Sequence, residues 1–248
     1  MTALVAADLL KLRRRRGLWL TALLLPAVLM TVIFLLSATE VIETDGGHTF
    51  VKDGAAALAF LGPILAVLIG ARVGSDEHAA GTLRYQLLTG VPRERLYLSK
   101  LAALAVACLL LTLTGAAAVL VFGIVLPPAP GDGLEAMDVV DAVWNPLLPT
   151  FAYGAIAFGV GSLMRSTGPA IAVALVLNLV GLDMLTLLVL IDDWFRHLVL
   201  DVGIDRLTLN AIDDPEDRVS VVAGAIITIL WTGGFVLAGW LRLRRLEV

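Results

Sequence analysis

The residues able to do chemistry in this chain are few, and what they exclude is as informative as what they allow. No Gly-x-x-x-x-Gly-Lys-Ser/Thr run occurs, so the chain lacks the loop whose backbone N–H groups cradle nucleotide phosphates. His48, His78 and His197 all fall in polar stretches, leaving no histidine at membrane depth to act as base or metal ligand. Cys108 is the one cysteine and sits inside an apolar run, which excludes an intrachain disulfide and a Cys-based metal site and reads as packing. Ser162, in Gly-Val-Gly-Ser, has no evident base, and the chain is expected not to be an enzyme. Two acidic features remain: the pair Asp76 and Glu77, and Asp183 inside an apolar run. An ionisable group in hydrocarbon costs at least about 2.5 to 3.5 kcal/mol, so Asp183 must face the bundle interior or water. It is then either a proton-coupling group or an aspartate hydrated from the outer vestibule or bonded to another helix. Asn178, five residues earlier, does not stack directly over it on an α-helix, and the two together are candidates for a translocation path.

The elements that position these groups are membrane spans. Hydrophobic residues make up 59% of the 248 and charged residues 16%, against roughly a half and a quarter in soluble domains. Six apolar runs reach about the 20 residues that a helix needs to cross the hydrocarbon core, at 18–36, 54–73, 101–126, 146–164, 168–191 and 219–241. The expected fold is an all-α integral membrane bundle of six transmembrane helices, residues 18–248, as one domain. Pro26 and the Gly62-Pro63 pair interrupt the first two runs, as spans tolerate. Before them, residues 1–17 set Val5, Leu9 and Leu12 at helical spacing beside Lys11 and the run Arg13, Arg14, Arg15, Arg16. That pattern predicts an amphipathic interfacial helix whose arginines, with Trp19 at the head of the first span, anchor to anionic lipid and fix orientation. The first run is too long for the core of a secretory signal, and no clean cleavage site follows it.

The stretch 192–218 carries Trp194, Leu198, Ile204 and Leu207 among its large apolar residues. It is too apolar for a solvated linker and too charged to span, so it predicts short re-entrant or interfacial segments before the last span. Fourteen of the 18 basic residues fall in the N-terminal tail, the 74–100 region with Arg72, the turn at Arg165 and the C-terminal tail, which puts both termini in the cytosol. Acidic residues crowd the opposite loops. Gly70 with Gly74 and Gly168 with Ala172 are spaced for close helix approach, but such pairs are common by chance in spans this rich in Gly and Ala and carry no weight.

The cytosolic stretch 74–100 is the most charged segment between two apolar runs. Ser75 or Asp76 is expected to cap a helix with Asp76 and Glu77 in its first turn, Gly90 to stop it and Pro92 to bar its continuation. On that helix Leu83 and Leu87, with Ala79 and Ala80, form an apolar face free to dock, while Arg84 lies elsewhere on the cylinder.

Here the chain resembles the type-2 ABC-transporter permeases of bacteria, through Asp76, Glu77, Gly81, Thr82, Leu83, Arg84, Leu87, Leu88, Pro92, Arg93 and Lys100, with His78 departing from the acidic or polar residue expected there. The resemblance implies that this segment couples the membrane domain to a separate ATP-binding-cassette subunit, which would hold the ATP and Mg while this chain holds no cofactor. It further implies a second permease subunit, as homodimer or heterodimer, an exporter in the bacterial inner membrane, and partners that include lipid but no nucleic acid. An ion-coupled transporter using Asp183 is the alternative.

Overall fold

The computed structural model describes residues 2–14, 16–39, 46–82, 88, 90–126, 134–164, 166–190, 192–208 and 219–245. All regular structure among them is helical: α1 (Thr2–Arg14), α2 (Arg16–Ala38), α3 (Gly47–Ala79), α4 (Arg93–Val125), α5 (Ala136–Leu163), α6 (Thr167–Val176), a π-helical turn (Leu177–Leu182), α7 (Asp183–Thr186), α8 (Leu200–Leu207) and α9 (Val221–Arg245). Among the described residues five helical stretches are long and apolar enough to cross a membrane: Gly47–Glu77, Arg93–Val125, Ala136–Leu163, Thr167–Thr186 and Val221–Arg245. A shorter apolar stretch, Leu23–Ser37, lies within α2.

Two of these helices form the spine. α3 and α5 pack more extensively than any other pair, with α4 and α9 against them. Their closeness is set by glycine: a Cβ on Gly70 would stand 2.2 Å from the Gly154 carbonyl oxygen, and one on Gly161 2.3 Å from that of Ala71. Backbones approach this nearly only where side chains are absent, so the stripe decides the crossing. The Gly70 and Gly74 spacing, which carried no weight in the sequence, is therefore a true contact; a Cβ on Gly74 would meet the Phe158 carbonyl oxygen at 2.3 Å. α9 lies at the periphery, exposing Val222, Ile229 and Leu230, an apolar surface suited to lipid.

The helix expected to begin at Ser75 does not begin there. α3 runs on through Ala79, and Ser75 is buried within it, donating its hydroxyl to the Ala71 carbonyl at 2.8 Å. Asp76 and Glu77 thus sit in a last turn, where the dipole disfavours acid; Glu77 is stabilised instead by lysines on other helices, and Asp76 accepts from the Thr167 hydroxyl. The helix closes at Gly81, whose φ of +66° puts it in the left-handed region while the Thr82 N–H reaches back to the Glu77 carbonyl at 3.1 Å. This is a Schellman stop. Gly90, at φ +77°, makes the second turn before α4. The expected docking face at Leu83 and Leu87, and Arg84 with it, lie outside the described residues. His48, expected in a loop, occupies the first turn of α3 and pairs with Asp138 of α5 at 2.9 Å.

The stretch before the last span contains a short 3-10 helix, Asp193–His197, and α8. Asp192 starts the first by accepting from the Trp194 N–H at 2.9 Å. α8 buries Leu200, Gly203 and Ile204 and lies along the start of α9, where the Gly203 and Gly224 backbones meet.

Candidate functional site

Two polar sites stand at opposite ends of the bundle. At the end carrying both termini, Glu77 is 7% exposed and faces two lysines. Lys100 of α4 reaches its Oε2 in a close ion pair, and Lys11 of α1 approaches its Oε1 at 3.0 Å. Lys11 also contacts Asp8 Oδ1 at 2.9 Å, and Asp8 Oδ2 accepts from Ser99 Oγ at 2.9 Å. Burial alone would lower the Lys11 pKa, but its hydrogen bonds and charge attraction to Asp8 and Glu77 outweigh that and raise it. The result is two carboxylates and two ammoniums closing α1, α3 and α4 on one another around a cavity of about 430 Å³.

Neighbouring residues of the predicted coupling set make further ties. Asp76 accepts from Thr167 Oγ1 at 3.3 Å, joining the end of α3 to the start of α6. Arg93 donates to the Arg244 carbonyl at 2.9 Å, placing a cation on the last turn of α9 where the dipole favours it. Arg242 in turn donates to the Leu163 carbonyl at the end of α5. Asp76, Glu77 and Arg93 thus each fasten one helix to another, while Gly81 and Thr82 form the stop and Pro92 precedes α4. Lys11, Asp8 and Ser99 were missed as members of this site. The only signal for them was Asp8 beside Lys11 on an otherwise basic helix.

Of the surface-anchoring residues, Arg14 is exposed and lines the 430 Å³ cavity. Arg15, and the side chains of Arg13, Arg16 and Trp19, lie outside the described residues. Ser162 donates to the Phe158 carbonyl at 2.9 Å within its own helix.

At the opposite end a cavity of about 170 Å³ lies among α3, α5, the π turn and α8. Its polar wall comprises Asn145, Tyr153, Asn178, Asp201, Asp205 and Thr208. Tyr153 donates its hydroxyl to the Asp201 carboxylate. Burial among the surrounding helices, and then the Asp201 carboxylate, pushes the Asp205 pKa up to about 6, although the residue reaches the cavity mouth. Asn178 is 8% exposed and its Nδ2 has no hydrogen-bond partner among the described residues. Asp183 opens α7 just beyond the π turn, and its side chain lies outside the described residues. Among the described residues no group of three or more His, Cys, Asp or Glu is placed to hold a metal.

A family model described as "ABC-2 family transporter protein" matches residues 4–181, from α1 into the π turn. It therefore spans the whole Glu77 cluster and stops short of α8 and α9. No curated protein matches the chain.

Proposed function

We propose, for a chain that belongs to the ABC-2 transporter family, that it is the membrane subunit of an ATP-driven exporter, crossing the bacterial cytoplasmic membrane six times with both termini in the cytosol. The family makes it an ABC permease and does not favour the proton-coupled alternative through Asp183. Two such subunits, identical or not, would form the path with two ATP-binding-cassette subunits, which would hold the ATP and Mg that this chain has no P-loop to bind.

The observation that carries the coupling reading is the position of Glu77. It joins α1, α3 and α4 at the end of α3 from which the chain enters the expected coupling segment, with Asp76 and Arg93 extending the ties to α6 and α9. A push on that segment by a closing ATPase would reach five helices through fixed contacts rather than through a loose loop. Buried charges with discrete partners give such an element defined arrangements to switch between. The segment 192–218, with its exposed Trp194 and Leu198, would lie in the outer interface and cap the path.

The test is to purify the tagged chain in mild detergent, identify what accompanies it and measure ATP hydrolysis. A stoichiometric partner bearing a P-loop, with transport lost when Glu77 and Arg84 are replaced by Ala, is the expected result. Transport that survives both replacements would refute coupling through this segment.

A further inference from the structure

We propose that the 170 Å³ cavity opposite the termini binds a primary ammonium carrying a nearby oxygen acceptor, the chemistry of an ethanolamine headgroup. Three observations converge on that class. First, Asn178 is nine-tenths buried, lines the cavity and holds an N–H with no partner among the described residues. A buried donor left unpaired is costly, and what answers it is an acceptor oxygen. Second, α8 places Asp201 and Asp205 one helical turn apart, so both carboxylates reach the same space, and no Lys, Arg or His lines it among the described residues. Asp201 is held by Tyr153, which leaves Asp205 at the mouth as the group a mobile cation would meet.

Third, the volume is selective. At about 30 Å³ per water it equals the space of roughly five or six waters, enough for an amino alcohol and too little for a bulky cargo. A bare metal ion fits the chemistry poorly: it offers Asn178 no acceptor, and no three-ligand acidic group stands among the described residues. An ammonium with an oxygen on the neighbouring carbon or phosphate satisfies the carboxylates and the amide together.

The rim identifies the source. Phe60, 71% exposed, and Leu179, 45% exposed, flank the cavity on the lipid-facing side of the bundle, so acyl chains could leave it without crossing a polar barrier. The ligand is accordingly a lipid headgroup. This site is separate from the Glu77 cluster, and its test needs no ATPase.

The full chain in detergent is offered phosphatidylethanolamine, phosphatidylcholine and phosphatidylglycerol of identical acyl chains, and retained lipid is counted by native mass spectrometry. One phosphatidylethanolamine should be retained at least about tenfold more tightly than either competitor, since choline has no N–H to donate and glycerol no cation. Asp205→Asn and Asn178→Leu should each remove about tenfold of that preference. Asp205 is the safer probe for folding because it lies at the mouth, and a melting midpoint no lower than wild type establishes that the fold is intact. Millimolar free ethanolamine is the second arm. If it binds with the same dependence on Asp205 and Asn178 while the lipid shows no preference, the ammonium site stands and the lipid source falls. Equal retention of all three lipids with no binding of free ethanolamine would overturn the proposal, as would both variants keeping the wild-type preference.

Discussion

The two ends of this bundle carry similar polar groups and use them in opposite ways. At the terminal end every described carboxylate of the cluster has a cation: Glu77 meets Lys11 and Lys100, and Asp8 meets Lys11. Charge there is spent on closing helices together. At the other end Asp205, one turn beyond the Tyr153-bonded Asp201, lines a cavity with an amide whose N–H has no partner among the described residues. Among the described residues no cation lines that cavity. The contrast separates a structural polar cluster from a binding one by a single criterion, whether the groups satisfy each other.

Breaking the paired end should have the largest effect. Glu77→Ala leaves Lys100, 8% exposed, without its carboxylate, and uncompensated buried charge of this kind costs about 3–5 kcal/mol. The melting midpoint should fall steeply and ATP-dependent transport should disappear. The double replacement Glu77→Met with Lys100→Met should recover most of the stability, because apolar pairs replace buried ion pairs at little cost, while coupling stays impaired. Recovery of transport by the double variant would mean that the charges only fill space.

Whether the two ends move as one unit depends on the spine between them. Gly70→Ala drives a methyl to within 2.2 Å of the Gly154 carbonyl oxygen, and the overpacking should cost about 1–3 kcal/mol in a denaturation measurement. Gly168→Ala, where nothing stands within 4 Å, is the matched control and should be neutral in the same assay. Smaller again is Gly81→Ala, which forces a side chain into the left-handed region at φ +66°, about 1–2 kcal/mol, and loosens the start of the coupling segment.

The unpaired end should respond least and with the opposite sign. The Asp205 pKa is raised in the fold to about 6 from the ordinary value of about 3.9. The folded protein therefore binds more protons between those values, and stability falls as pH climbs through that window. Asp205→Asn should leave melting unchanged below about pH 4 and raise the midpoint slightly above pH 6, in lipid lacking ethanolamine. Adding phosphatidylethanolamine should erase or reverse that gain, whereas at the paired end no carboxylate variant should stabilise at any pH.

By itself the sequence determined the class of fold, the family and the sorting of charge. Composition and the apolar runs require helices that bury their backbone polar groups in lipid, and that requirement is local, so it is legible residue by residue. The excess of large apolar residues at 192–218 likewise announced the short helices found in its described part, and Gly90 marked a turn, whereas Gly81, expected inside a helix, closes one. Partners are another matter. Glu77 is joined to a lysine 66 positions earlier and to one 23 later, and the second cavity gathers residues from Phe60 to Thr208. Nothing in periodicity encodes such pairings, because a carboxylate at a helix end can be satisfied by any cation that packing delivers. The same limit explains the misplaced helix start: Ser75 is a good cap in isolation, but a helix continues where tertiary ion pairs offset the acid in its last turn. Only the packing of α3 on α5, set by glycines too common in spans to be noticed one by one, decided which charges would meet.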